Sequence, residues 1–92
     1  MVVGICTLSL FLPHSHSLKD KRRVLKGLKD RLRRFNVSVA EVDGQDLWQR
    51  ATIGIATVSH DRSRVEEILR TVHDEIEARI PGEIIDYQID YA

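Results

Sequence analysis

Nine of the fourteen lysines and arginines in this sequence fall within residues 18–34, LKDKRRVLKGLKDRLRR. Only Asp20 and Asp30 accompany them, leaving a surplus of seven positive charges. The whole chain is neutral, because residues 35–92 carry five basic residues against twelve acidic ones. At roughly 100° per residue, Lys29, Arg22, Arg33, Lys26, Lys19, Arg23 and Arg34 fill one continuous arc of a helix. Lys19/Arg23, Arg22/Lys26 and Lys29/Arg33 are like-charge i,i+4 neighbours, and such a pair costs on the order of 0.2–0.5 kcal/mol in an isolated helix. A merely solvated face intersperses acids, as residues 61–79 do, where Arg62, Arg64, Arg70 and Arg79 mix with Asp61, Glu66, Glu67, Asp74, Glu75 and Glu77. The uncompensated arc points to an anionic partner; if that partner is RNA, Lys and Arg contact its phosphates without reading sequence. Lys19, Arg22, Arg23, Lys26, Lys29 and Arg33 are the expected nucleic-acid-binding residues. Two other readings stay open: a plain solvated face, and a cationic face that docks on the acidic surface of a second copy.

The stretch His14-Ser15-His16-Ser17 places two imidazoles and two hydroxyls at the start of the same helix. A helix N-terminus there could hold an anion, although Ser17 is explained more simply as the cap. His14 and His16 lack a third ligand at metal-binding spacing, so no metal is expected. Glu41, Asp43 and Asp46 read as a hairpin turn without the spacing of a calcium loop. Trp48, Tyr87 and Tyr91 could stack on bases, but a lone tryptophan at the start of a strand is ordinarily a packing residue, and that is the expectation for Trp48.

These residues must be positioned by six elements. Residues 2–12 form a strand apolar on both faces, hence central in a sheet, and Pro13 ends it. Ser17 caps a helix over residues 18–34, with Asp20 in a capping-box position and a stripe of Val24, Leu25, Leu28, Leu32 and Phe35. Residues 36–42 read as a strand, Asp43-Gly44 as a turn, and residues 48–59 as a third strand. Asp61 or Ser63 caps a second helix with the stripe Val65, Ile68, Leu69, Val72, Ile76 and Ile80, which Pro81-Gly82 terminates. In residues 83–91, Ile85, Tyr87, Ile89 and Tyr91 alternate with Asp86, Gln88 and Asp90. The order β-α-β-β-α-β predicts an α+β, ferredoxin-like sandwich over residues 1–92: one domain, with a four-stranded antiparallel sheet and two helices on one face.

Composition agrees with a globular chain, 42% hydrophobic and 30% charged. The single cysteine, Cys6, cannot form an internal disulfide and lies in an apolar run, so a buried, inert thiol in a reducing compartment is expected. The apolar start lacks the basic region and small-residue cleavage site of a signal peptide. No apolar run approaches the ~20 residues of a membrane span. A cytoplasmic protein is the expectation.

The segments SLKDKR at residues 17–22, FNVSVAEV at 35–42 and DLWQRA at 46–51 resemble the bacterial YlxP-like family, small ferredoxin-like proteins of unknown function. The resemblance covers nearly the whole chain. It implies an RNA or ribosome partner, because genes of this family often lie beside genes for translation initiation and ribosome maturation. It supplies no catalytic residues. The best-supported function is therefore a non-catalytic RNA- or ribosome-binding module acting through the basic helix, without a cofactor. A self-associating homodimer, with the apolar outer face of the first strand as its contact, is the alternative. A small anion-handling hydrolase is the third reading: acyl-phosphate hydrolases share this fold and use an Arg and an Asn, residue types present as Arg50 and Asn36. The connection PHSHS has no glycine-rich loop to cradle a phosphate, and no catalytic set stands out.

Overall fold

The computed structural model describes residues 1–92. β1 (Val2–Phe11), α1 (Leu18–Leu32), β2 (Ser38–Asp43), β3 (Arg50–Ser59), α2 (Arg62–Arg79) and β4 (Glu83–Tyr91) follow in the expected order. The sheet runs β2-β3-β1-β4, antiparallel throughout. β1 is thus an inner strand, as its two apolar faces require. Strand alternation turns Cys6, Leu8 and Leu10 to the same side as their β3 partners Ile55, Ile53 and Ala51. Against that layer α1 buries Leu25, Leu28 and Leu32, and α2 buries Val65, Ile68, Leu69, Val72 and Ile76. α2 rests directly on β1 at Gly4, where a Cβ would stand 2.3 Å from Val65 Cγ1.

Both helix starts are fixed by side chains. Ser17 Oγ accepts from the Asp20 N–H at 3.0 Å, while the Asp20 carboxylate accepts from the His16 N–H at 3.0 Å, one residue earlier than in the usual reciprocal box. α2 is capped by Asp61, not Ser63: Asp61 Oδ1 accepts from the Ser63 N–H at 3.0 Å and the Ser63 hydroxyl at 2.9 Å. Those two bonds hold the Asp61 carboxyl below the ordinary carboxylate range.

Four departures from the sequence expectation each have a local reason. α1 stops at Leu32, where the Phe35 N–H turns back to the Leu32 carbonyl at 3.0 Å. β2 starts at Ser38, because Asn36 spends its side chain on the Val58 carbonyl at 3.1 Å and its own carbonyl on the Thr57 hydroxyl. β3 starts at Arg50, leaving Trp48 in the loop before it. In β4, a bulge opposite Ser9/Leu10 puts Ile84 on the inner face and leaves Ile85 45% exposed.

Candidate nucleic-acid interface

α1 presents its cations as the arc geometry predicts. Lys19, Arg22, Arg23, Lys26, Lys29 and Arg33 are all exposed, and so are Arg31 and Arg34. The arc is not free of compensation, however. Asp30 lies within it and pairs with Lys26 at 3.3 Å and Arg33 at 3.0 Å. Arg23 stands 3.8 Å from Asp20, and Arg34 reaches Glu75 on α2 at 3.3 Å. Four cations remain without an ion pair: Lys19, Arg22, Lys29 and Arg31. Of the six residues expected to bind nucleic acid, Lys19, Arg22 and Lys29 are therefore the ones whose charge is fully available. Asp30 was legible in the helical projection, between Lys19 and Arg23.

The ninth basic residue of the stretch behaves differently. Lys21 is buried to 1% exposure, at i−4 from Leu25 and i−7 from Leu28 within the core-facing stripe. Its ammonium donates to the carbonyls of Gly44 at 2.8 Å, Gln45 at 3.3 Å and Arg50 at 3.3 Å. Glu41 Oε2 lies 2.7 Å from the same nitrogen. Three N–H donors are thus taken by three carbonyls. The carboxylate neutralises the charge as a close, off-axis ion pair and makes no aligned hydrogen bond of its own. Lys21 does not face a ligand. It fastens the β2–β3 loop, residues 44–49, to the first turn of α1.

The sequence pattern of the family described as "Protein of unknown function (DUF503)" matches residues 3–89. The chain belongs to this family. It is 40% identical over 72 residues to "Uncharacterized protein YlxP" of Bacillus subtilis (strain 168), covering 77% of this chain and 78% of that one. Two solved structures share the architecture. The de novo designed protein LFR1 1, with a ferredoxin fold, superposes with a TM-score of 0.55 at 11% identity, covering 100% of this chain and 83% of that one. The designed Ferredog-Diesel gives 0.52 at 12% identity, covering 98% and 84%. At such identities the likeness establishes the ferredoxin-like fold and nothing further.

In this DUF503 chain the other chemistry-bearing residues are scattered. His14 and His16 are exposed on the β1–α1 connection. Asn36 bonds Val58, eight residues along β3 from Arg50, about 26 Å at ~3.3 Å per residue. One bound anion cannot meet both. Cys6 is buried at 2% exposure, and burial pushes its thiol up to about 11, partly offset by a hydrogen bond with Tyr87. The aromatics do not gather into one platform. Tyr87 meets His73 edge-on with ring centroids 4.5 Å apart, and Arg62 covers Tyr91 at 4.0 Å. Tyr91 pairs with Gly4, at the other end of β1 from the Arg50 partner Phe11. Trp48 is 55% exposed, so the packing role expected for it fails, because β3 begins two residues later and leaves the indole outside the sheet.

Proposed function

We propose that this protein is a non-catalytic RNA-binding module that engages phosphates with the exposed face of α1. The observation that carries the reading is the set Lys19, Arg22 and Lys29, exposed on one face of one helix with no acid paired to any of them. Lys26 and Arg33 lie on the same face and can exchange Asp30 for a phosphate. The acidic remainder of the chain repels a polyanion and leaves α1 as the face of approach. No helix is long and apolar enough to cross a membrane.

The test is a salt titration of RNA binding. The slope of log K against log salt should be about −0.7 to −0.9 per phosphate neutralised. Changing Lys19, Arg22 and Lys29 together to Gln keeps good helix formers on a solvent face. That variant should bind ribosomes and RNA more weakly, with a shallower slope and an unchanged or raised melting temperature. Unchanged affinity with a normal melting curve returns α1 to a solvated face.

A second reading, homodimerisation through the open sheet face, is supported by its apolar surface. Val42 and Val58 are 53% and 48% exposed, and Val42 borders a shallow groove of about 340 Å³ with Ile5, Ala40, Gly54 and Ala56. Such a dimer should persist when salt shortens the Debye length from about 10 Å at 0.1 M to about 3 Å at 1 M. Sedimentation at both salts decides it, and a monomer throughout removes it.

A further inference from the structure

Trp48 is the one tryptophan of the chain. A large apolar side chain in a loop ordinarily folds back onto the core, yet Trp48 is 55% exposed and its neighbour Leu47 49%. The indole N–H has no hydrogen-bond partner within the chain. The loop beneath it is nonetheless firmly held. Lys21 binds the carbonyls of Gly44 and Gln45 before Trp48 and of Arg50 after it. The Leu47 N–H donates to the Gly44 carbonyl at 3.0 Å, and the Gln49 carbonyl accepts from the Leu12 N–H at 2.8 Å. The Gln49 side chain donates to the Pro13 carbonyl at 3.2 Å. Gly44, at φ 72°, supplies the left-handed turn that starts the loop. The backbone that carries this exposed indole is therefore held by a buried ammonium, and that ammonium belongs to the basic helix itself, flanked by Lys19 and Arg22.

We propose that Trp48 is a base-stacking site and that the ligand of this protein is single-stranded RNA. This rests on the reading of α1 as the phosphate-binding face and adds the class of RNA to it. Phosphates of an unpaired strand lie on the cations of the first turns of α1, and a base of the same strand lies on the indole. Duplex RNA buries its base faces and offers only phosphates to the same surface. Stacking on an aromatic tolerates any base. The anchored backbone lowers the ordering cost of binding. Asp43 and Asp46 make the loop itself acidic, so the phosphates lie on exposed Lys19 and Arg22 of α1 and only a base reaches the indole; single-stranded RNA, a polyanion with flat apolar groups, meets both conditions.

Because the chain has a single tryptophan, its fluorescence reads the contact directly. The full chain is titrated with a ten-nucleotide oligouridylate, with a ten-base-pair RNA duplex, and with an oligoglutamate peptide. The single strand should quench Trp48 emission saturably, and the duplex should bind more weakly without quenching. Trp48→Ala should lose about five- to a hundred-fold in affinity for the single strand, with an unchanged melting curve, and Trp48→Phe should recover most of it. Equal affinity of Trp48→Ala and the parent protein overturns the stacking site while leaving the phosphate face standing. Equal binding of strand and duplex does the same. Quenching by the peptide alone overturns it in favour of a protein-docking surface. If no RNA binds at all, the α1 reading fails and the stacking site fails with it; the Lys19, Arg22 and Lys29 variant marks that case separately.

Discussion

Replacing Lys21 with Met is the most informative single perturbation of this structure. Methionine matches the unbranched stem and removes the ammonium. The Glu41 carboxylate, with 17% side-chain exposure, then loses the charge 2.7 Å away. Removing one member of a buried pair costs about 3–5 kcal/mol, and the residual water access of Glu41 places this case near the lower figure. A 92-residue chain has a total stability of about 5–14 kcal/mol, so the loss is a large share of it. At about 4–8 °C per kcal/mol for a domain of this size, the melting temperature should fall by about 12–24 °C. Thermal circular dichroism measures it. The double variant Lys21→Met with Glu41→Leu leaves no orphan charge, and water can replace the donor at the exposed Gln45 carbonyl. It should regain most of the loss. A drop smaller than about 4 °C in the single variant, or a double variant no more stable than the single one, would refute the assignment of Lys21 as the loop's anchor.

Two further outcomes follow from the same contacts. Asp30→Asn frees Lys26 and Arg33, so RNA affinity should rise and the salt slope steepen by about 0.7–0.9 for each phosphate gained; the two surface pairs it removes are worth about 0.3–0.5 kcal/mol each, and an unchanged slope would show that Asp30 does not compete with phosphate. Burial raises the Cys6 thiol from 9.0 to about 11, so the folded state holds its proton where the unfolded state has lost it; the stability this contributes is full below pH 9 and declines as the pH rises towards about 11. Denaturant midpoints at pH 8 and 10.5 should differ more in the parent than in Cys6→Val, where the raised Tyr87 hydroxyl leaves a smaller loss of the same sign.

The six elements and their order were legible because each apolar stripe has the period of its element, and Pro13, Ser17, Asp43-Gly44 and Pro81-Gly82 mark the breaks. The basic face was legible for the same reason: an arc of charge follows from helical geometry alone. Lys21 could have been separated from the other cations by its spacing from Leu25 and Leu28, but the acceptors that let it be buried come from residues 41–50, and no periodicity announces them. Trp48 was misplaced because tryptophan favours strands and Gln49-Arg50, which separate it from the apolar residues of β3, carry no turn signal. Whether a strand's first aromatic lies inside the sheet depends on where the ladder begins, and here the loop backbone from Gly44 to Arg50 is already committed to Lys21 and to the β1–α1 connection.

The contrast between the two helices has a consequence for the order of folding. α2 carries Arg62–Glu66 and Arg64–Glu67 pairs along its own surface and the Arg79–Glu75 pair near its end, so it gains support from local contacts before it docks. α1 has local pairs too, at Asp20–Arg23, Lys26–Asp30 and Asp30–Arg33, but it sets them against like charges at i,i+4 and an exposed mid-helix Gly27, whose missing Cβ would meet nothing within 4 Å and which costs about 1 kcal/mol relative to Ala. Such a helix depends on the finished sheet, and it should consolidate after the rate-limiting step. Gly27→Ala should then slow unfolding and leave the folding rate nearly unchanged, whereas breaking the α2 pairs should slow folding. A polyanion that cancels the repulsion along α1 acts on the same limb: it lengthens the lifetime of the folded state without hastening its formation. Rate measurements in both directions, with and without oligonucleotide, would show the reverse pattern if α1 belonged to the folding nucleus.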